Sequence, residues 1–249
     1  MPGKTINQVD SDWYDQKYDS NTTRTYCWNK KIFELIRANK ILGKETRILE
    51  IGCGEGNLLK NIHEEIGINK DKLYGIEQSE KAVLRLKDHG FKNIKCTDAK
   101  NIPFKDKFFD IVIMAEVIEH LRDPDAVLAE IRRILKNNGI IILSFPNYLN
   151  LPWLLLRYIA EISSIADRMI NLQPYDKIFT YFHLIKYVES NEFKFLKSYG
   201  TNYLPPGLHL IEPMGLSNIM TKMRLTFLSF HPVLIFKHNE KSRKQGIGE

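Results

Sequence analysis

A short glycine-rich run after a buried strand is the feature that most constrains the fold of this chain. The apolar run Ile48 to Ile51 leads into the sequence EIGCGEG, which contains Glu50, Gly52, Gly54 and Gly56. Glycines let a backbone turn sharply and approach a ligand closely, and the helix that follows offers unpaired N–H groups in its first turn. The pattern predicts a strand–turn–helix unit that binds a nucleotide-type cofactor.

The glycine spacing separates this loop from a dinucleotide-binding loop. The dinucleotide fingerprint GxGxxG would need its third glycine at Asn57, whereas this chain has GxGxG preceded by an acid. Glu77 ends the second predicted strand, where its carboxylate can accept two hydrogen bonds from a ribose diol. Asp98 follows the third predicted strand, where it can accept from an adenine amino group. These positions predict a site for an adenine nucleoside.

Strands and helices alternate through the middle of the chain. The predicted strands are uninterrupted apolar runs, which are typical of strands covered on both faces. Ser79 and Asp123 are expected to cap the second and third helices of this region, and the third is expected to end before Gly139. The runs are Ile48 to Ile51, Leu73 to Ile76, Phe109 to Met114 and Ile140 to Phe145. The alternation predicts an α/β fold, a mostly parallel sheet with helices on both faces.

The remaining segments fit one domain spanning residues 1–249. Residues 21–43 predict a leading helix, and Phe193 to Leu196 and Leu225 to Phe236 predict closing strands. The expected parts are an N-terminal helical cap (1–43), a cofactor-binding core (44–147), a helical insertion (148–180), the C-terminal part of the sheet (181–237) and a polar tail (238–249).

Five motifs in the order found here make the chain resemble the class I S-adenosylmethionine-dependent methyltransferases. The motifs span residues 47–147 and are RILEIGCGEG, YGIEQS, CTDAKNIPF, FDIVIMAEVIEHLRDP and ILKNNGIIILSFPN. The resemblance implies a Rossmann-like, doubly wound sheet of seven strands whose last strand is antiparallel, with a helical insertion after strand five. It also implies S-adenosylmethionine as the cofactor.

The resemblance implies which residues bind that cofactor. They lie at the ends of the first four strands and are Glu50, Gly52, Cys53, Gly54, Glu77, Gln78, Asp98, Ala99, Ala115 and Glu116. The first four would hold the methionine end and the ribose, and Glu77 the ribose hydroxyls. Gln78 would lie beside the adenine, and Asp98 and Ala99 at its edge. Ala115 and Glu116 would lie under the sulfonium and the amino-acid part.

The run Glu116-Val-Ile-Glu119-His120 begins where the fourth strand ends, at the edge of the sheet where such folds place chemistry. His120, with Glu119 beside it, is the candidate catalytic residue, a general base for a phenolic or enolic hydroxyl. The run is similar to that of the methyltransferases of quinone biosynthesis. The alternative is that both side chains only cap and brace the turn. A third interpretation is a cofactor-binding protein without transfer activity.

The same E-x-x-E-H run also resembles the metal-binding run of small-RNA 2′-O-methyltransferases. That site would need a further histidine, from His183 or His209. The second histidine motif expected after the FPN turn is absent from the sequence. We therefore expect no metal ion and favour a small-molecule acceptor, an apolar or aromatic hydroxyl compound, over RNA.

The charge distribution argues against a nucleic-acid partner. The net charge is +6, but the lysines and arginines are scattered and not interleaved with aromatic residues.

The three cysteines have no paired spacing, which favours neither a zinc site nor disulfide bonds. The first twenty residues are polar and acidic, which is not the pattern of a signal peptide. The expectation is a cytoplasmic enzyme.

The apolar stretch after the fifth strand has two interpretations. Residues 139–156 carry no charge, but Pro146, Asn147, Asn150 and Pro152 interrupt them, which argues against a membrane span. The insertion is expected to pack on the core or on a partner subunit. Alternatively it forms a lid over a hydrophobic acceptor, with peripheral contact to a membrane surface. With such a lid, the residues bordering the acceptor would be Pro174, Tyr175, Tyr181 and His183. The N-terminal aromatic residues Trp13, Tyr14 and Tyr18 either close over the bound cofactor or belong to a loose tail.

Overall fold

A seven-stranded sheet forms the centre of the computed structural model, which describes residues 27–38, 43, 45–150, 154–155, 177–204 and 215–239. The strand order is β3-β2-β1-β4-β5-β7-β6. Strands β1 to β5 are parallel, and β7 runs antiparallel to both β5 and β6. The strands are β1 (Ile48–Ile51), β2 (Leu73–Glu77), β3 (Ile94–Cys96), β4 (Phe109–Ala115), β5 (Leu135–Ser144), β6 (Phe193–Tyr199) and β7 (Val233–His238). The predicted α/β, doubly wound fold with an antiparallel last strand is confirmed.

Helices cover both faces of this sheet. They are α1 (Cys27–Ala38), α2 (Asn57–Asn61, continued as a π-helical turn over Ile62–Ile66), α3 (Glu80–Asp88), α4 (Pro124–Ile134), α5 (Tyr181–Ser190) and α6 (Leu216–Lys222). As predicted, Ser79 and Asp123 cap α3 and α4 by accepting hydrogen bonds from the backbone of Ala82 (3.2 Å) and Ala126 (3.0 Å). Within the described ranges, no helix has the length and apolar character needed to cross a bilayer.

Successive residues of the central strands point to opposite faces, so each strand contributes side chains to two hydrophobic cores. Val112 and Met114 pack with α4 and α5, whereas Ile111 and Ile113 pack with α1, α2 and α3. All four side chains are fully buried. This explains why the strands read as continuous apolar runs rather than alternating ones.

Two of the predicted strand starts are wrong, and the strand predicted over Phe193 to Leu196 continues to Tyr199. Strand β5 begins at Leu135, not Ile140, because Leu135 already pairs with Phe109 before the register shifts to Ile111 and Ile140. Helix α4 accordingly ends at Ile134, well before Gly139.

The second wrong boundary is the start of the closing strand, which begins at Val233 rather than Leu225. Residues Thr226–Leu228 form a single 3-10 turn instead. The side-chain amide of Asn147 donates to the carbonyl oxygens of Phe227 (2.8 Å) and Ser229 (2.9 Å). Pro232 has no N–H to donate to a ladder. Both features keep this segment out of the sheet.

Asn147 connects three parts of the fold. It follows β5 and is fully buried. Besides its bonds to the segment before β7, its side-chain oxygen accepts from the backbone N–H of Tyr181 (2.9 Å), the first residue of α5. The FPN turn therefore fixes the segment that ends at His231 against the carboxyl end of β5.

Candidate active site

The glycine loop between β1 and α2 is held against the end of β2. The N–H groups of Gly52 and Cys53 both donate to the carbonyl oxygen of Ile76, at 2.9 and 3.2 Å. Gly52 has a φ of 68°, in the left-handed region. A Cβ atom at Gly52 would lie 2.6 Å from Cγ2 of Val117, in the turn after β4. The loop therefore bridges β2 and β4, and only glycine fits at this point.

Glu77 lies under this loop. Its Oε2 atom accepts a hydrogen bond from the N–H of Gly54 (2.8 Å), and its Oε1 atom accepts from Gln78 (2.8 Å) and Ser79 (3.1 Å). The side chain is buried. The predicted neighbours Glu77, Gln78 and Gly54 are thus brought together, and Glu77 also shapes the loop.

Asp98 and Ala99 follow β3 at the same edge of the sheet. The backbone of this segment joins β2 through the N–H of Thr97, which donates to the carbonyl oxygen of Glu77 (3.0 Å). Oδ1 of Asp98 accepts from the N–H of Lys100 (2.9 Å), which closes a turn. The Asp98 side chain stays partly exposed, whereas Ala99 is buried. The Asp98 side chain can therefore contact a ligand that binds at this edge of the sheet.

Glu50 lies in β1 and points into the protein. Burial, and then the nearby carboxylate of Glu77, raise the pKa of Glu50 well above its usual range, while the N–H of Leu59 lowers it. Its Oε2 atom is buried without a hydrogen-bond partner. Burial also raises the pKa of the neighbouring Cys53 thiol. An unsatisfied buried carboxylate oxygen fits a positively charged or hydrogen-donating ligand group.

Glu116 directly follows β4, with Ala115 as the last residue of that strand. Its φ of 56° lies in the left-handed region, and its N–H donates to the carbonyl oxygen of Ser144 (3.1 Å). Oε2 of Glu116 lies 3.4 Å from Nε2 of His231, and Oε1 is buried without a hydrogen-bond partner. Burial raises the pKa of Glu116 to about 8, and the Ser144 hydroxyl opposes this shift. A left-handed non-glycine residue at a strand end is common at functional sites.

Glu119 and His120 form the short 3-10 turn that follows. Nε2 of His120 lies 3.6 Å from Oε1 of Glu119, which is almost fully buried. The carbonyl oxygen of Glu119 accepts from the N–H of Lys177 (2.7 Å), which braces the turn. The geometry is compatible with both a catalytic pair and a bracing role. Among the described residues, no three His, Cys, Asp or Glu side chains converge to hold a metal ion.

His231 is a residue of the site that the sequence did not point to. The Thr201 hydroxyl donates to the His231 carbonyl oxygen (2.6 Å), and the Asn202 amide lies 3.2 Å from Nδ1 of its ring. These partners are distant in sequence, so no local motif signals them.

The expected acceptor-side residues are placed only in part. Tyr181 is buried, and its hydroxyl lies 2.6 Å from that of Ser198, while the His183 ring packs beside Phe179. The others, and most of the 148–180 insertion, lie outside the described residues: Trp13, Tyr14, Tyr18, Pro174, Tyr175 and His209.

Comparison with known proteins identifies the central region. The family described as "Methyltransferase domain" matches residues 49–143. An uncharacterised protein of Methanocaldococcus jannaschii is 30% identical over 186 residues, which covers 71% of this chain and 68% of that protein. A ubiquinone biosynthesis O-methyltransferase of Pasteurella multocida is 24% identical, over 78% of this chain and 83% of that protein. An uncharacterised methyltransferase of Schizosaccharomyces pombe is 27% identical, over 53% of this chain and 51% of that protein. The chain thus spans about half the length of several curated relatives that it matches.

Solved structures show the same fold. Magnesium protoporphyrin IX methyltransferase from Synechocystis, with S-adenosylhomocysteine bound, superposes with a TM-score of 0.60 at 14% identity, covering 94% of this chain and 99% of that one. The [4+2]-cyclase SpnF superposes with a TM-score of 0.62 at 16% identity, covering 94% and 96%.

Proposed function

Because the chain belongs to the class I S-adenosylmethionine-dependent methyltransferases, we propose that it transfers a methyl group to a small-molecule acceptor that carries a hydroxyl on an apolar or aromatic framework. The observation that carries the proposal is the row of acidic residues along one edge of the sheet. Asp98, Glu77, Glu50 and Glu116 lie within two residues of the carboxyl ends of β3, β2, β1 and β4, which are neighbours in that order. Strand ends at such an edge are where α/β sheets bind ligands.

In this proposal the cofactor's adenine lies at Asp98, Ala99 and Gln78, and its ribose at Glu77. The glycine loop with Glu50, Gly52, Cys53 and Gly54 holds the methionine end, and Ala115 and Glu116 lie beside the sulfur. The unsatisfied oxygens of Glu50 and Glu116 fit a cofactor that carries positive charge at this end. When bound, S-adenosylmethionine supplies a methyl group on positively charged sulfur. The loop then acts by fixing the donor's direction, which is most of what such a transfer requires.

His120, with Glu119, is proposed as the catalytic pair that accepts the acceptor's proton. His120 is partly exposed at the end of β4, while Glu119 is almost fully buried and anchored through its backbone. A histidine that lies close to a buried carboxylate at a ligand-binding edge of the sheet is a candidate general base. The name of the Pasteurella multocida relative, a ubiquinone biosynthesis O-methyltransferase, supports a hydroxyl on an apolar ring.

Two other functions remain as alternatives. Binding without transfer is one, since a [4+2]-cyclase shares this fold. RNA methylation with a metal ion is the other, and it would need a further histidine, from His183 or His209, beside the run Glu116 to His120. We place the enzyme in the cytoplasm, with the 148–180 insertion over the acceptor or against a second subunit, and with peripheral membrane contact if the acceptor is lipid-like.

The test has two stages. Calorimetry is expected to show binding of S-adenosylmethionine and S-adenosylhomocysteine but not of NAD. Transfer of a tritiated methyl group is then measured with phenolic compounds, quinols and short RNA duplexes as acceptors. Label in a phenol or quinol supports the proposal. Label only in RNA, or binding without any transfer, contradicts it.

A further inference from the structure

The strand order sets the direction of an elongated ligand in the site. Adjacent strands lie about 4.8 Å apart. A ligand with its adenine at Asp98 and its ribose at Glu77 must therefore continue toward β1 and then β4. The inference that follows rests on the proposed function, which supplies this ligand. The sulfur end of that ligand would then lie beside the turn that carries Glu116.

A direct contact supports this placement. Gly52 in the loop and Val117 in the turn after β4 pack so closely that a Cβ atom at Gly52 would be 2.6 Å from the valine. A ligand group held by the loop is therefore next to residues 115–117. Within that turn, Glu116 carries the ionisable side chain.

The surroundings of the Glu116 carboxyl are known from four sides. His231 faces it from the segment before β7, at 3.4 Å. Ser144 faces it from β5, and Glu119 and His120 belong to the following turn. Glu50 and Glu77 lie across the glycine loop, with the Gly54 N–H already bound to Glu77. One carboxyl oxygen of Glu116 remains buried without a hydrogen-bond partner.

We propose that Glu116 distinguishes the methyl donor from its demethylated product by charge. The Glu116 carboxyl releases its proton to solvent when a positively charged sulfonium binds beside it, and it keeps the proton when the neutral thioether of S-adenosylhomocysteine binds there.

The physical basis is that a nearby opposite charge favours the ionised form of a carboxyl group. In the empty protein, burial raises the pKa of Glu116 to about 8, so the group is mostly protonated at neutral pH. Donor and product carry the same adenine, ribose and amino-acid groups. Contacts of Glu50, Glu77 and Asp98 with those shared groups are therefore common to both ligands. The charge on sulfur differs between the ligands, and because it acts on any carboxyl group near it, the Glu116→Gln variant is needed to assign the released proton to Glu116.

The experiment measures this ratio by calorimetry at pH 6.5, 7.5 and 8.5, in buffers with different heats of ionisation. At pH 7.5, donor binding is expected to release more protons than product binding. The affinity for S-adenosylmethionine relative to S-adenosylhomocysteine is expected to rise about five- to tenfold from pH 6.5 to 8.5. Equal proton release for the two ligands would overturn the proposal.

Two variants complete the test. Glu116→Gln cannot ionise, so the affinity ratio is expected to lose its pH dependence. Glu64→Gln changes an exposed glutamate on the π-helical turn and is expected to keep it. A pH-dependent ratio that persists in Glu116→Gln contradicts the proposal. If Glu116→Gln does not fold, the test rests on the unmodified protein, in which the protons released on donor binding are compared with those released on product binding. Failure of both ligands to bind would instead refute the proposed function.

Discussion

The Glu77 carboxylate and the backbone N–H of Gly54 are 2.8 Å apart, so the residue proposed to bind ribose also holds the glycine loop. Glu77→Ala removes the acceptor of three backbone N–H groups, of which those of Gly54 and Ser79 are buried. We expect a loss of about 2–3 kcal/mol in the free energy of unfolding, together with weaker cofactor binding. Urea unfolding without ligand checks the first effect, and an unchanged midpoint would contradict it.

Asp98 is expected to behave differently, because its side chain is partly exposed. Asp98→Asn keeps an oxygen that can accept from the N–H of Lys100, so the turn and the melting temperature should be retained. Loss of the carboxylate is expected to weaken binding of S-adenosylhomocysteine by about 1–2 kcal/mol. Asp88→Asn, at the exposed end of α3, serves as the control. Equal affinities of the two variants would argue against adenine binding at Asp98.

Gly52→Ala tests the contact between the loop and the turn after β4. The added methyl group meets both a left-handed backbone and Cγ2 of Val117. We expect destabilisation by about 1–3 kcal/mol, partly reversed when Val117→Ala is added. Gly67→Ala has a similar backbone conformation but open space around its Cβ, so it measures the free-energy cost of the left-handed backbone without a steric clash. A Gly52→Ala variant no less stable than Gly67→Ala would contradict the steric interpretation.

His120→Gln is expected to lower kcat on an accepted hydroxyl compound at least about tenfold, with little change in cofactor affinity. Activity of the unmodified enzyme is expected to be indifferent to a chelator. Loss of activity with chelator, and its recovery with a divalent ion, would point to the metal-dependent alternative. Full activity of His120→Gln would leave only the bracing role.

Protein stability is expected to fall as the pH rises toward alkaline values because of Glu116. Its pKa is raised to about 8 in the folded protein, so between its ordinary pKa and pH 8 the folded state binds more protons than the unfolded state. The stabilisation is fully present below the ordinary pKa of a glutamate, is lost progressively between that pKa and pH 8, and changes little above pH 8. For one proton, the slope approaches about 1.4 kcal/mol per pH unit. Urea unfolding from pH 5.5 to 8.5 should show a shallower slope for Glu116→Gln than for Glu64→Gln.

The features that the sequence predicted are those whose cause is local. Gly52, Gly54 and Gly56 have the left-handed backbone that glycine favours. The strand from Ile111 to Met114 is buried on both faces and is therefore apolar throughout. Both features can be predicted from the residues of the segment itself. The caps at Ser79 and Asp123 are likewise set within one helical turn.

The features that it missed depend on distant partners. His231 reaches the site because Asn147, more than eighty residues earlier, binds the carbonyl oxygen of Ser229. The true start of β5 depends on the pairing of Leu135 with Phe109. Neither partner can be identified from the residues around it.

The position of β7 between β5 and β6 has a consequence for synthesis on the ribosome. Strand β6 leaves the exit tunnel before the strand that joins it to the sheet, so the edge of β5 stays open until Val233–His238 emerge. The carbonyl groups of Phe227 and Ser229, which the Asn147 side chain binds, come just before that strand. A nascent chain that is stalled before Val233 should therefore be open to proteases around β6, while β1 to β4 are already protected.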